Sequence, residues 1–213
     1  MKILVLGITG MLGSAMLRIL SQSPTNDVWG TARDTSANDY FDATLAAHII
    51  HGIDMLDEAA LAALFDKVKP EAVVNCIGLV KQLADAKEPL HAIPINALLP
   101  HRLQALCATH HARLIHISTD CVFSGKKGNY LETDFPDADD LYGRSKLLGE
   151  VVDSTHAITL RTSIIGHELK GQHSLIAWFL AQQKTVKGFT KAIFSGLPTD
   201  ELARVVRDVV LPR

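Results

Sequence analysis

The chain has 213 residues, 47% of them apolar and 21% charged, with a formal net charge of -2. That length supports one domain, or one domain with a small satellite, whose core needs neither disulfides nor a structural metal. Near-neutral charge with no basic run argues against nucleic acid and anionic lipid as partners, and no stretch approaches the ~18 consecutive apolar residues of a membrane span.

Cys76, Cys107 and Cys121 are scattered and form no CxxC pair. This speaks against a disulfide framework, a zinc ribbon or a thioredoxin-like redox site, and for a reduced, cytoplasmic setting. The ten histidines lack HExxH or other ligand spacing, so no metal is expected.

Met1-Lys2 and the apolar run Ile3 to Leu6 begin as a signal peptide would, but Gly7, Gly10 and Gly13 interrupt the run and no small-residue cleavage site follows. Runs rich in Val, Ile and Leu recur at 2–7, 28–32, 48–53, 71–77, 113–118 and 157–162. Helical patterns lie between them at 11–22, 57–67, 91–111 and 139–155, the second stopped by Pro70. Near-continuous apolar strands separated by helices predict an α/β fold, a doubly wound parallel sheet of Rossmann type. Beyond 164 the rhythm changes. A loop at 166–171 precedes an apolar helix at 172–183, a strand near 191–195, and a helix at 199–210 introduced by Pro198 and Thr199.

Gly7-Ile8-Thr9-Gly10-Met11-Leu12-Gly13 joins the first strand to the first helix. Absent side chains let the backbone turn sharply and let a pyrophosphate approach the helix N-terminus, where free N–H groups and the helix dipole favour negative charge. In that context Gly7, Thr9, Gly10, Met11, Leu12 and Gly13 predict dinucleotide binding, a ligand-free turn being the alternative. Dinucleotide folds place a carboxylate at the end of the second strand for the ribose 2′-hydroxyl. Here that segment is Trp29-Gly30-Thr31-Ala32-Arg33-Asp34. Thr31 cannot act as the carboxylate, while the Arg33 guanidinium suits a 2′-phosphate, which favours NADP over NAD. The alternative is a solvated Arg33 with Asp34 on the ribose. Asp54 is placed either to hold an adenine amino group or to cap a helix, a role Asp57 fills better. Met55 beside it, Cys76, Ile77 and Gly78 at the end of the fourth run, and Lys146 complete the expected cofactor contacts.

Tyr142-Gly143-Arg144-Ser145-Lys146 lies at the start of the 139–155 helix, and a spacing of four puts phenol and ammonium on one face. A free phenol, with pKa ~10, exchanges protons poorly at neutral pH. A lysine charge alongside is expected to lower that value and to bind the nicotinamide ribose. The alternative, an exposed helix pair, is weakened by Thr119, which follows the 113–118 strand at the carboxyl end where ligands of open α/β sheets lie. There its hydroxyl is placed to hydrogen-bond the reacting oxygen while Tyr142 transfers the proton.

Gly7/Gly10/Gly13, Ser118-Thr119-Asp120 and Tyr142-x-x-x-Lys146 together resemble the extended short-chain dehydrogenase/reductase superfamily. Ser-Thr-Asp-x-Val-Phe-x-Gly at 118–125 and Arg161-Thr162-Ser163 resemble, more closely, the dTDP-4-dehydrorhamnose reductase-like sugar-nucleotide enzymes. The resemblance covers essentially the whole chain. It implies Thr119, Tyr142 and Lys146 as a catalytic triad and Asn96 as the completing member of a proton relay, an ordinary polar helix residue being the alternative. The implied activity is NADPH-dependent reduction of a nucleotide-linked keto-sugar in surface polysaccharide precursor synthesis. An NAD-dependent epimerase and a non-catalytic NADP-binding regulatory subunit are the other readings. Family members usually continue beyond a point like Arg213. Residues 1–164 are therefore expected to form the dinucleotide-binding domain, and 165–213 a partial substrate lobe with a returning strand and helix. Lys81, Gln82, Arg161 and His173 are expected substrate contacts by their placement, and a homodimer is left open.

One departure separates subfamilies. Related dehydratases place Asp-Glu directly after the threonine, because elimination needs both a proton donor and a base. Here Asp120 precedes Cys121, which disfavours dehydration. Cys121 has no histidine partner nearby and is expected to be a packed thiol rather than a nucleophile.

Overall fold

The computed structural model describes residues 1–81, 87–171 and 174–213. Its main sheet contains β1 (Lys2–Leu6), β2 (Asp27–Ala32), β3 (Ile49–His51), β4 (Ala72–Asn75), β5 (Arg113–Ile117) and β6 (Ala157–Leu160), one at each expected apolar run. All are parallel, in the order β3-β2-β1-β4-β5-β6. The order reverses between β1 and β4. Connections leave that point in opposite directions and open a crevice at the carboxyl ends of the two strands.

Successive side chains of each strand serve opposite faces. Ile3, Val5, Val74, Ile115 and Ile117 pack with α1 (Met11–Leu20). Leu4, Leu6, Val73 and Leu114 pack with α3 (Glu58–Val68) and α5 (Leu99–Thr109). Burial on both faces is why these strands are continuous apolar runs rather than alternating ones. A 3-10 turn at Thr35–Tyr40 and the short α2 (Ala43–Ala46) have no counterpart among the expected elements. The 91–111 pattern becomes α4 (Pro89–Ala92), a π turn at Ile93–Leu98, and α5. Pro94 and Pro100 each remove a backbone donor there, which weakens the regular helical ladder and permits the wider turn.

The helix expected over 139–155 is shorter. α6 (Leu141–Leu148) stops because Gly149 lies against the Asn96 backbone, where a Cβ would sit 2.0 Å from the Asn96 carbonyl oxygen. Beyond it, the Val151 N–H donates to the Thr159 hydroxyl (3.1 Å), which in turn donates to the Val151 carbonyl (2.9 Å), so the segment follows β6 instead of coiling. The strand expected near 191–195 is displaced to β8 (Gly196–Pro198), parallel to β7 (Ser163–Ile165). Close approach explains this: a Cβ at Gly196 would meet the Ser163 carbonyl oxygen at 2.3 Å, so pairing begins at the glycine.

The apolar helix expected at 172–183 is α7 (Leu175–Leu180), capped by Ser174, and it leaves Leu175, Phe179 and Leu180 exposed. α8 (Thr199–Val205) continues into a π turn at Val206–Val210, and its Leu202 and Ala203 share a core with α1. Among the described residues no helix is long and apolar enough to cross a membrane.

Candidate active site

The glycine turn forms the floor of the crevice. Gly7 has φ 82°, a backbone region that side chains disfavour. Its N–H donates to the Thr31 hydroxyl (3.3 Å), and the Gly10 N–H donates to the Gly7 carbonyl (3.1 Å). Thr31, no ribose carboxylate, thus ties the turn to β2. A Cβ at Gly13 would lie 2.1 Å from the Gly7 carbonyl oxygen, so α1 reaches the turn only through glycine. No side chain caps α1 at Gly10, which leaves the first-turn N–H groups, beginning at Met11, available to an anion. Leu12 is buried and contributes only backbone, whereas Thr9 is half-buried beside Gly10. Gly13→Ala forces α1 away from the turn. We expect a stability loss of about 1–3 kcal/mol in denaturant unfolding, and weaker dinucleotide binding by calorimetry.

At the end of β2, Arg33 is exposed and its guanidinium makes no hydrogen bond or ion pair among the described residues. Asp34 instead accepts from the Ser36 N–H and hydroxyl and caps the turn at Thr35–Tyr40. These two bonds hold its carboxyl below the usual carboxylate range. Asp54 is exposed and accepts from the Leu56 N–H (2.9 Å), while Asp57 caps α3. Met55 and Ile77 lie half-buried over the β-sheet core. After β4, Cys76 and Gly78 are also half-buried, and the Asn75 carboxamide accepts from the Ile77 N–H (3.1 Å). Burial pushes the Cys76 thiol up to about 12.

Thr119, Tyr142 and Lys146 converge at the carboxyl end of β5. Asp140 caps α6 by accepting from the Gly143 N–H (2.7 Å), which fixes the turn carrying Tyr142. Gly143 admits close contact with the loop after β5, since a Cβ there would meet the Cys121 carbonyl oxygen at 2.3 Å. That contact brings the Thr119 hydroxyl alongside the phenol, where it favours ionisation. Burial outweighs it and pushes Tyr142 up to about 12. This corrects the expectation of a lysine-lowered phenol: Lys146 donates to the Ile117 carbonyl (2.8 Å), and desolvation dominates at Tyr142. Tyr142 is therefore a phenol at neutral pH, the form a proton donor needs. Lys146 is 5% exposed, and burial lowers it to about 8 against the opposing charge of Glu150.

Asn96 is buried inside the π turn. It accepts from the Leu79 N–H (2.9 Å) and donates to the Ser145 hydroxyl (3.2 Å), bracing the loop after β4 against α6. A Cβ at Gly78 would lie 3.4 Å from the Asn96 Oδ1 and 3.6 Å from the Lys146 Nζ, so Gly78 presents bare backbone to both. Burial raises the Cys121 thiol. Its N–H donates to the Thr119 hydroxyl (3.1 Å).

The substrate assignments fare differently. Lys81 is paired with Asp140 at 2.6 Å, so it reinforces the cap of α6. Arg161 is engaged within the fold: its Nε and Nη2 bind the Glu150 carboxylate, and its Nη1 donates to the Glu132 carbonyl (3.3 Å). Gln82 and His173 lie outside the described residues. Glu150 itself escaped the sequence reading, although its place four residues after Lys146 was a signal available there.

The family model described as "RmlD substrate binding domain" matches residues 1–212. A probable low-salt glycan biosynthesis reductase from Haloferax volcanii is 33% identical over 196 residues, spanning 87% of this chain and 63% of that protein. Methionine adenosyltransferase 2 subunit beta from Xenopus laevis is 30% identical over 149 residues, 70% of this chain and 41% of that one. This chain therefore spans less than two thirds of the length of either relative. A solved structure described as a hypothetical dTDP-4-dehydrorhamnose reductase from Sulfolobus tokodaii superposes with a TM-score of 0.81 at 28% identity, covering 100% of this chain and 73% of that one. The glycine turn, the Thr-Tyr-Lys convergence and these likenesses agree: the chain belongs to the RmlD substrate binding domain family.

Proposed function

We propose that this protein is an NADPH-dependent reductase acting on the keto group of a nucleotide-linked sugar, in the cytoplasmic synthesis of surface polysaccharide precursors. The observation that carries the reading is a protonated, largely desolvated Tyr142 facing the Thr119 hydroxyl, with the Lys146 ammonium on the same helix. The residues present suit a dinucleotide, because Gly7 and Gly13 leave no room for a Cβ at the turn and α1 begins after Gly10 with no side-chain cap.

When bound, that cofactor supplies the hydride. Thr119 and Tyr142 hold the carbonyl oxygen of the sugar, and the Tyr142 hydroxyl gives it the proton. One Lys146 N–H is used on Ile117, leaving others to hold ribose hydroxyls. Asn96 keeps the Leu79 backbone in place. Arg33, exposed at the end of β2, is the residue we assign to a 2′-phosphate.

The test is NADPH oxidation by the purified chain with a dTDP-linked 4-keto-6-deoxy sugar. Turnover is expected with NADPH in preference to NADH. Arg33→Ala should weaken NADPH binding about tenfold or more, the worth of a charge-assisted hydrogen bond, and leave NADH binding unchanged. Absence of turnover on every nucleotide keto-sugar offered would sink the reading. The likeness to methionine adenosyltransferase 2 subunit beta favours a second one, a dinucleotide-binding regulatory subunit. Dinucleotide binding without turnover, together with a stable partner protein, would select it.

A further inference from the structure

Behind the triad lies an ion pair whose position is hard to explain as packing alone. Glu150, two residues past α6, is 6% exposed. Its carboxylate accepts from the Arg161 Nε (2.9 Å) and Nη2 (2.7 Å), and from the Ser118 hydroxyl (2.7 Å). Arg161 is held in turn. Its guanidinium lies over the Phe123 ring at 5.2 Å, and Phe123 stacks on Tyr130 at 4.5 Å.

The contacts of Lys146, Glu150 and Tyr142 are consecutive in the chain. Lys146 docks on the carbonyl of Ile117, Glu150 on the hydroxyl of Ser118, and Thr119 faces Tyr142. On the far side of Thr119, Asp120 accepts from the Ser163 hydroxyl (2.7 Å). The strand end that presents Thr119 is therefore gripped on both sides. The buried anion and the buried cation of the α6 segment sit on adjacent residues of β5's carboxyl end.

We propose that Glu150 is a positioning residue for the reaction: it fixes the Thr119 strand end through Ser118, and it sets a buried carboxylate on the residue next to the one that holds Lys146. The inference rests on the reductase reading for its consequence, though not for its geometry. The groups facing Lys146 are few. Cys76 approaches from the loop after β4 and His116 from β5, with Tyr142 on its own helix. His116 is fully buried, its Nδ1 accepts from the Asn75 Nδ2 (3.1 Å), and it is held well below its usual range by burial and by Lys146. It stays neutral. With the Cys76 thiol protonated, Glu150 is the anion that stabilises Lys146 at neutral pH. Arg161 neutralises the far edge of that carboxylate and holds it in place.

The experiment is a pH titration of the Lys146 Nζ resonance in ¹⁵N-lysine-labelled full-length protein, assigned with Lys146→Met. It needs no turnover, so it stands whether or not the reductase reading does. In Glu150→Gln, which keeps the shape and an acceptor for Ser118, the Lys146 midpoint is expected to fall from about 8 by about one unit, the scale of a nearby charge. In Ser118→Ala, which keeps the carboxylate, it should stay. If carbonyl reduction is measurable, its alkaline limb should move down with the midpoint in Glu150→Gln, whereas Ser118→Ala should lower kcat without moving the limb. Because Glu150→Gln leaves Arg161 a half-buried cation without its partner, Glu150→Gln/Arg161→Gln is the companion variant, with a smaller fall expected because the Arg161 charge is lost too. An unmoved midpoint in the folded variants would overturn the proposal, as would an equal fall in Ser118→Ala.

Discussion

Tyr142→Phe should lower carbonyl reduction about 10²–10⁴-fold, the usual worth of a positioned general acid, while leaving the fold and dinucleotide binding intact. The ring stays and only the hydroxyl goes, so the packing that buries this side chain is preserved. The loss should fall on kcat rather than on the KM for NADPH, because in the proposed reaction the phenol acts on the oxygen of the sugar. Burial pushes the phenol up to about 12, so the donor form persists through neutral pH and Tyr142 itself sets no limb below the alkaline range. Stopped-flow and steady-state NADPH oxidation check this directly. Undiminished turnover in the variant would remove Tyr142 from the reaction and leave Thr119 or a solvent proton in its place.

Lys146→Met should stabilise the fold, and the gain should shrink as pH rises. Burial lowers Lys146 from 10.5 to about 8 in the folded chain. At about 1.36 kcal/mol per unit, the folded state carries a penalty on the order of 3 kcal/mol for holding the ammonium at pH 7. The sign follows from proton counts. Between the folded and unfolded values the unfolded chain binds more protons, so stability rises with pH through that window. Below about 8 the penalty is complete, and above the unfolded value it is gone. Methionine removes the titration but also the bond to Ile117, so the net gain at pH 7 is smaller than the full penalty. Between pH 7 and 9.5 the advantage of the variant should decline by about 2 kcal/mol. Chemical unfolding at the two pH values measures it. A pH-independent difference would show that Lys146 is not desolvated in the fold. Residues that cost stability where they sit are common at functional sites, and the same substitution should abolish carbonyl reduction.

The strands were legible in the sequence because burial on both faces leaves continuous apolar runs such as Val73-Val74 and Leu114-Ile115. The glycine turn was legible because Gly7 and Gly13 answer to backbone requirements, a left-handed φ and a close approach, that few other residues meet. The length of α6 was not. It depends on the Asn96 backbone arriving from a different helix to meet Gly149. The displaced β8 likewise follows from contact between Gly196 and Ser163, far apart in sequence.

Sequence by itself determined the fold class, the place of the glycine turn and the candidacy of Thr119, Tyr142 and Lys146, since these rest on apolar periodicity, on short spacings and on position at a strand end. Tertiary structure alone decided what those side chains experience. It turned Lys146 toward Ile117 and left Tyr142 a protonated phenol, reversing the shift expected from spacing. It also gave Arg161 to Glu150 and Lys81 to Asp140, where the sequence reading offered both to a substrate. The physical reason is one of range. Backbone preference and apolar period act over a few residues, whereas desolvation and ion pairing depend on which distant segments close over a group and exclude its water.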